Sequence, residues 1–234
     1  MMSQLTVQAI FFSKKIHADA KMRQASANFV LQNYILKMKI IHISDTHGCH
    51  RWLPELPEAD IIVHSGDFTM AGSEQEALDF LNWFCDLPCK HKVFICGNHD
   101  DCLYESNIDG LDSNVYYLCN SGIEIEGLKF YGVPMFTEDC ITNRQSQNYA
   151  QIPNDTDVVI THSPAYGILD LADNIYYGSK GLLQSLARIN PRLHLFGHIH
   201  RQHGITIIGK TMFSNGAIMN EPYSTLNYPN IIEL

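Results

Sequence analysis

Apolar residues along the chain gather into short β-branched runs, and most of these runs end in a small cluster of polar residues. Ile40, Ile41 and Ile43 form such a run and stop at Asp45-Thr46-His47-Gly48. The same pattern predicts strands over 38–43, 59–67, 92–100, 157–163 and 192–200. Between them, Ser73 with Glu76 three residues later is a capping box. Ala77, Leu78, Leu81, Phe84 and Cys85 follow at helical spacing up to Pro88. A second helix is predicted over 179–190, stopped by Pro191. Two hairpins are expected, one over 123–133 about Glu126-Gly127 and one over 205–215 about Gly209-Lys210. Residues 135–153 read as polar and irregular.

Strands alternating with helices in the first half, and hairpins in the second, predict an α/β fold: two mixed β-sheets packed face to face with helices on the outer faces. Nothing resembling a linker divides residues 38–234, which read as one domain. Residues 1–37 read as an N-terminal extension. Their basic residues follow the short apolar run instead of preceding it, which is wrong for a signal peptide.

Composition narrows the class without naming a function. The 234 residues are 45% hydrophobic and 18% charged, an ordinary globular balance. A net charge of −9 argues against an extended nucleic-acid partner, since phosphate backbones are held by basic surfaces. No run is long and apolar enough to span a membrane. Seven cysteines, an odd number in no disulfide-like spacing, predict reduced thiols and a cytoplasmic protein.

The candidate chemistry lies at the strand ends. Five of them carry Asp45-Thr46-His47, Gly66-Asp67, Gly97-Asn98-His99-Asp100, Thr161-His162 and Gly197-His198-Ile199-His200. Loops at the carboxyl ends of strands are where α/β sheets collect ligands. Brought together, these loops offer carboxylate, amide and imidazole donors enough for two metal ions. A set without thiolate suits Mn, Fe, Zn or Co. Such a pair clamps the attacking and leaving oxygens of a displacement and gives a bound hydroxide near neutral pH. His198 and His200 sit where the strand turns, so the two can serve different ions.

The five motifs, in this order, resemble the calcineurin-like metallophosphoesterase superfamily over residues 38 to about 216. The text from "HSGDFTMAGSEQEALDFLNWFCDLP" through "GNHD" looks like its small metallophosphoesterase-domain-containing branch, similar to bacterial cyclic-nucleotide phosphodiesterases. The resemblance implies an αββα sandwich and a phosphoesterase acting on a small phosphodiester, with a cyclic nucleotide as one candidate. It implies that Asp45, His47, Asp67 and His200 hold one metal. Asp67, Asn98, His162 and His198 would hold the other, with Asp67 bridging. It gives His99 the phosphate and the leaving group, and Asp100 the task of orienting His99. A phosphomonoesterase, a nuclease and a non-catalytic scaffold remain as alternatives on the same fold.

Several further signals read as structural. His42, His64 and His194 lie behind the motifs and are expected in the core. Cys49 and His50 receive no role. "GITIIGKT" (204–211) matches the nucleotide P-loop pattern, but its interior is strand-like and no helix follows Thr211, so the hairpin reading prevails. Arg144, Arg201 and His203 stand as open candidates for substrate contact.

Overall fold

A computed structural model describes residues 38–221 and 223–234. The expected extension, 1–37, lies outside the described residues. Thirteen strands are described. In chain order they are β1 (Lys39–Ile43), β2 (Ile61–His64), β3 (His91–Phe94), β4 (Val115–Tyr117), β5 (Ser121–Ile125), β6 (Leu128–Val133), β7 (Val158–Thr161), β8 (Leu171–Ala172), β9 (Ile175–Tyr176), β10 (Leu193–Phe196), β11 (Gly204–Ile208), β12 (Thr211–Asn215) and β13 (Asn230–Glu233). The helices are α1 (Glu74–Asp86), α2 (Thr137–Ile141), α3 (Arg144–Gln151) and α4 (Lys180–Ile189).

One sheet has the order β13-β1-β2-β3-β4 and the other β11-β12-β10-β7-β6-β5. Strands β1 to β4 run parallel, with β13 antiparallel on the far side of β1. In the second sheet β12, β10, β7 and β6 run parallel, and the antiparallel strands β11 and β5 close its two edges. Both sheets are therefore mixed, as expected.

The period of two along each strand sorts the apolar residues into layers. Ile40, Val63 and Val93 meet Phe130, Ile160 and Leu195 between the sheets. Ile41, Ile43, Ile62 and Phe94 face outward onto Phe80 and Phe84 of α1. On the other outer face Val159 and Phe196 meet Tyr149 of α3 and Leu182 and Leu186 of α4. The result is a four-layer α/β/β/α sandwich.

The helix punctuation at α1 and α4 follows the sequence. Ser73 and Glu76 form the reciprocal capping box of α1. Ser179 caps α4 through Leu182 N, and α4 ends on Asn190 in a left-handed conformation just before Pro191. The 123–133 hairpin turns at Glu126 and Gly127, with φ of 51° and 80°, as a type I′ turn requires. The P-loop-like stretch is the β11–β12 hairpin.

Residues 135–153 depart from expectation: they form α2 and α3. Neither has a capping side chain, since the residues before them are Phe136 and a left-handed Asn143. In α3 only Gln145 and Tyr149 are buried, one helical turn apart. That is too sparse a stripe to announce a helix by periodicity.

Candidate metal centre

Three motif loops follow β1, β2 and β3, adjacent parallel strands of one sheet, and two follow β7 and β10, adjacent parallel strands of the other. The sheets are joined at this end. Ser44 N donates to Gly216 O at 2.8 Å and Ile218 N to Ser44 O at 2.8 Å, so the end of β1 pairs with the chain beyond β12. His42 spans the sheets below, with Nδ1 2.8 Å from Ser214 Oγ and Nε2 2.9 Å from Ser65 Oγ.

The structure gathers the predicted donors into overlapping groups. Asp45, His47 and His200 form one, Asp67, His162 and His198 a second, and His47, Asp67 and His99 a third. Within each, one donor atom per residue lies within 4.8 Å of the others. His47 Nε2 lies 3.3 Å from His200 Nε2, and His200 Nε2 3.3 Å from Asp45 Oδ1. Asp67 Oδ2 is 3.2 Å from His162 Nε2 and 3.9 Å from His47 Nε2. It thus stands between the first group and the second. His198 and His200, two residues apart, fall into different groups.

Three of the five ligating loops are bent sharply to aim their side chains. Asp45, His47, Asp67 and His198 have φ of 53°, 43°, 57° and 71°. That region costs a residue with a Cβ about 1–2 kcal/mol, and such strain is held where the surroundings over-determine the backbone. Here they do: Asp45 N donates to Gly66 O at 2.9 Å and His47 N to Asp67 O at 3.0 Å. His198 N donates to both oxygens of Asp45 at 3.0 Å. Two motif glycines leave room for the carboxylates. A Cβ on Gly97 would lie 2.1 Å from Asp67 Oδ1, and one on Gly197 2.0 Å from Asp45 Oδ2.

Hydrogen bonds behind the donors set the tautomers. His47 Nδ1 donates to Thr69 O at 3.2 Å and His162 Nδ1 to Ser65 O at 2.9 Å. Each leaves Nε2 facing the group, the arrangement that metal-binding histidines use. Asn98 Oδ1 is buried with no hydrogen-bond partner. Buried polar atoms are nearly always paired, so an unpaired amide oxygen among carboxylates and imidazoles fits a cation. The donor set fits a metal pair.

The two carboxylates dominate the electrostatics. Burial acts against ionisation of Asp45, but the hydrogen bond to His200 and the charge of His162 hold it well below the usual carboxylate range. Asp67 is also lowered against burial, mainly by His162. His162 is pushed up to about 10 despite burial by the Asp67 and Asp45 carboxylates. Burial lowers His47, and burial with His162 nearby lowers His198 to about 4, leaving both neutral with a free lone pair.

His99 and Asp100 divide the remaining work differently from the resemblance. The Asp100 carboxylate is buried and accepts from backbone N–H groups: Asp67 at 2.8 Å, Gly97 at 2.9 Å and Thr69 at 2.9 Å. Thr69 Oγ1 adds a bond at 2.8 Å. The His99 ring finds a different partner, Met70 O, 2.8 Å from Nδ1. Asp100 therefore fixes the loops that carry Asp67 and His99, and the Met70 carbonyl orients the imidazole.

His64 and His194 are core residues, and each also braces a motif. Gly66 N donates to His64 Nδ1 at 3.2 Å, so Nε2–H donates to Thr46 Oγ1 at 3.0 Å. His194 Nε2 bonds Thr161 Oγ1 at 2.9 Å. His50 packs on Trp83 and faces Asp79 at 3.1 Å. Burial raises the Cys49 thiol, which stays protonated. Arg144 pairs with Asp139 at 3.2 Å, and His203 bonds Tyr228 O at 3.0 Å. Sequence reading missed Tyr223, whose ring lies 5.2 Å from those of both His47 and His200. It follows no motif, so no local signal marks it.

Residues 38–202 match the calcineurin-like phosphoesterase family, and the chain belongs to that family. Membership brings metal-dependent phosphoester hydrolysis and a dinuclear metal centre. Similar relatives include UPF0046 protein C25E10.12 of Caenorhabditis elegans, 33% identical over 228 residues, covering 85% of this chain and 81% of that protein. Metallophosphoesterase domain-containing protein 1 of Homo sapiens is 30% identical over 232 residues, covering 84% of this chain and 71% of that protein. The crystal structure of TT1561 of Thermus thermophilus shares the fold, with a TM-score of 0.58 at 13% identity over 76% of this chain and 88% of that one. Among the described residues no helix is long and apolar enough to cross a membrane.

Proposed function

We propose that this protein hydrolyses small phosphodiesters, with Asp45, His47, Asp67 and His200 holding one metal ion and Asp67, Asn98, His162 and His198 the other. Mn, Fe, Zn and Co all suit the oxygen and imidazole donors. Bound there, a metal pair supplies Lewis acidity toward the phosphoryl group and a hydroxide nucleophile at neutral pH. The observation that carries the reading is the position of Asp67 Oδ2, between His162 of one group and His47 of the other.

The chain's own residues supply orientation and a proton. His99 lies beside the centre, its ring centroid 4.7 Å from that of His47. Met70 O holds the proton on Nδ1, so proton delivery to a departing oxygen would fall to Nε2 of the imidazolium form. Positioned acids of this kind contribute roughly 10²–10⁴-fold. The preference for diesters rests on charge. A dianionic monoester is best held by an arginine fork, and the arginines beside the motifs are engaged elsewhere. Arg51 pairs with Asp79 at 2.8 Å, and Arg201 pairs with Glu221 and with Asp173 at 2.6 Å.

The test is an assay of protein loaded with Mn²⁺, Fe²⁺, Co²⁺ or Zn²⁺ against bis-p-nitrophenyl phosphate, p-nitrophenyl phosphate, cyclic nucleotides and a short oligonucleotide. Diesters should turn over fastest, and a cyclic nucleotide is the natural first candidate. Faster monoester turnover would make it a phosphomonoesterase, and preference for the oligonucleotide a nuclease. Two bound metals with no turnover on any ester would leave a scaffold.

A further inference from the structure

Tyr223 lies on the loop between β12 and β13, beyond residues 38–202 that match the family. Its ring stands nearly perpendicular to both His47 and His200, at 82° and 73°, with both centroids 5.2 Å away. Those imidazoles belong to the same donor group. The residue is nevertheless 42% exposed. An aromatic ring that touches two buried donors and also meets solvent occupies the mouth of the centre.

The loop is built to put it there. Tyr223 has φ of 66°, a left-handed conformation that is an outlier for a bulky residue. Three bonds hold the turn: Tyr223 N to Asn220 O at 2.6 Å, and Ser224 N and Thr225 N to Asn220 Oδ1 at 3.0 Å and 2.8 Å. Met219 and Leu226 pair antiparallel at its base. Arg201, the residue after His200, reaches Glu221 on this loop and Asp173 in the β8–β9 turn. The rim around Tyr223 is thus tied to the strand end that carries His200.

We infer that Tyr223 is a specificity-determining residue, whose exposed ring receives a flat aromatic substituent on the phosphoryl group. This rests on the phosphoesterase reading above and adds the class of ester. A phosphoryl group at the tips of His47 and His200 has its organic substituent beside this ring. His99 approaches His47 separately at 4.7 Å, so proton delivery and substituent binding fall to different residues. A ring offers an aromatic partner offset or edge-to-face packing that an alkyl group cannot match.

Methyl(phenyl)phosphinate and dimethylphosphinate test this directly, since they share the monoanionic head of a diester, have no ester bond to hydrolyse, and differ by a ring against a methyl group. Their dissociation constants are measured by calorimetry on the metal-loaded full chain, with wild type, Tyr223→Phe and Tyr223→Ala. Wild type and Tyr223→Phe should favour the phenyl compound by on the order of tenfold. Tyr223→Ala should lose most of that preference while keeping dimethylphosphinate affinity and metal content. Equal weakening of both ligands in Tyr223→Ala overturns the inference and makes the residue a prop for His47 and His200. No phenyl preference in wild type overturns it as well, while leaving the phosphoesterase reading intact. Failure of metal-loaded wild type to bind either phosphinate contradicts the reading itself, and the inference with it.

Discussion

His99 donates its backbone N–H to Oδ1 of Asp67 at 2.8 Å, so the proposed acid is attached through its main chain to the proposed bridging carboxylate. The clasp is reciprocal, because Asp67 N donates to Asp100 Oδ2 at 2.8 Å. One carboxylate thereby has two tasks. Its Oδ1 fixes the 97–100 loop, and its Oδ2 faces His162 and His47. Ligand and acid keep a constant separation because the same loop positions both.

Asp100 is predicted to matter for stability. Its removal strips the acceptor from the N–H groups of Asp67, Gly97 and Thr69, and each buried donor left unpaired costs about 1–3 kcal/mol. Asp100→Ala should lower unfolding free energy by roughly 3 kcal/mol or more on that basis, as read by urea denaturation. Stability within about 0.5 kcal/mol of wild type, the range of ordinary surface changes, would mean the carboxylate does not brace the loops.

His99→Ala should separate leaving groups. A nitrophenolate departs without a proton, whereas an alkoxide needs one, so alkyl diesters should slow by roughly 10²–10⁴-fold and nitrophenyl diesters much less. Metal content should not change. Equal slowing of both would recast His99 as a stabiliser of phosphate charge, and metal loss would make it a ligand, as its grouping with His47 and Asp67 allows.

Gly97→Ala should strike the centre before the fold. The new Cβ would lie 2.1 Å from Asp67 Oδ1, and overpacking of this kind typically costs about 1–3 kcal/mol. Unfolding curves and metal analysis together should show a modest loss of stability and a larger loss of bound metal. A variant with full stability and full metal content would mean Asp67 is free to move aside.

Buried neutral histidines set a pH dependence. Burial lowers His64 and His194 from an ordinary 6.5 to about 3, and lowers His42 well below its ordinary value, with nearby His64 adding to the effect. Below pH 6.5 the unfolded chain takes up a proton at each that the folded chain refuses. Stability is therefore whole above that value and falls as pH drops toward 3, by about 1.4 kcal/mol per pH unit per histidine. Thr161 Oγ1 donates to Ser163 O, so His194 donates to it from Nε2, a bond that His194→Gln can reproduce. Urea unfolding between pH 6 and 4 should show a shallower slope in that variant by about 1.4 kcal/mol per pH unit. Parallel slopes would mean His194 protonates in the folded state.

The site was far more legible in the sequence than the edges of the fold. Each ligand loop follows a short buried strand, and four of the five carry glycine beside a donor, so period and punctuation agree. Strand β4 is three residues and the β8–β9 pair has two on each side, lengths at which alternation carries no signal. Helix α3 was hidden because tertiary contacts of Tyr149 hold it, with no cap or stripe to mark it. Tyr223 was invisible for another reason: its position depends on a left-handed turn fixed by Asn220, and no spacing along the chain encodes which ring will face His47. The Asp100 carboxylate was expected to orient the His99 ring, and it binds backbone N–H groups and Thr69 Oγ1 instead, a choice set by how two loops meet.

Metal content of Asp67→Ala, set beside His47→Ala, tests the central claim most directly. Both purified variants and wild type are equilibrated with Mn²⁺ or Zn²⁺, freed of loosely held ions, and counted for metal per folded chain by mass spectrometry. Because Asp67 Oδ2 stands between the two donor groups, Asp67→Ala should lose both ions, His47→Ala should lose chiefly one, and wild type should hold two. An Asp67→Ala protein that still binds two ions per chain would contradict a shared carboxylate and with it the ligand assignment proposed above.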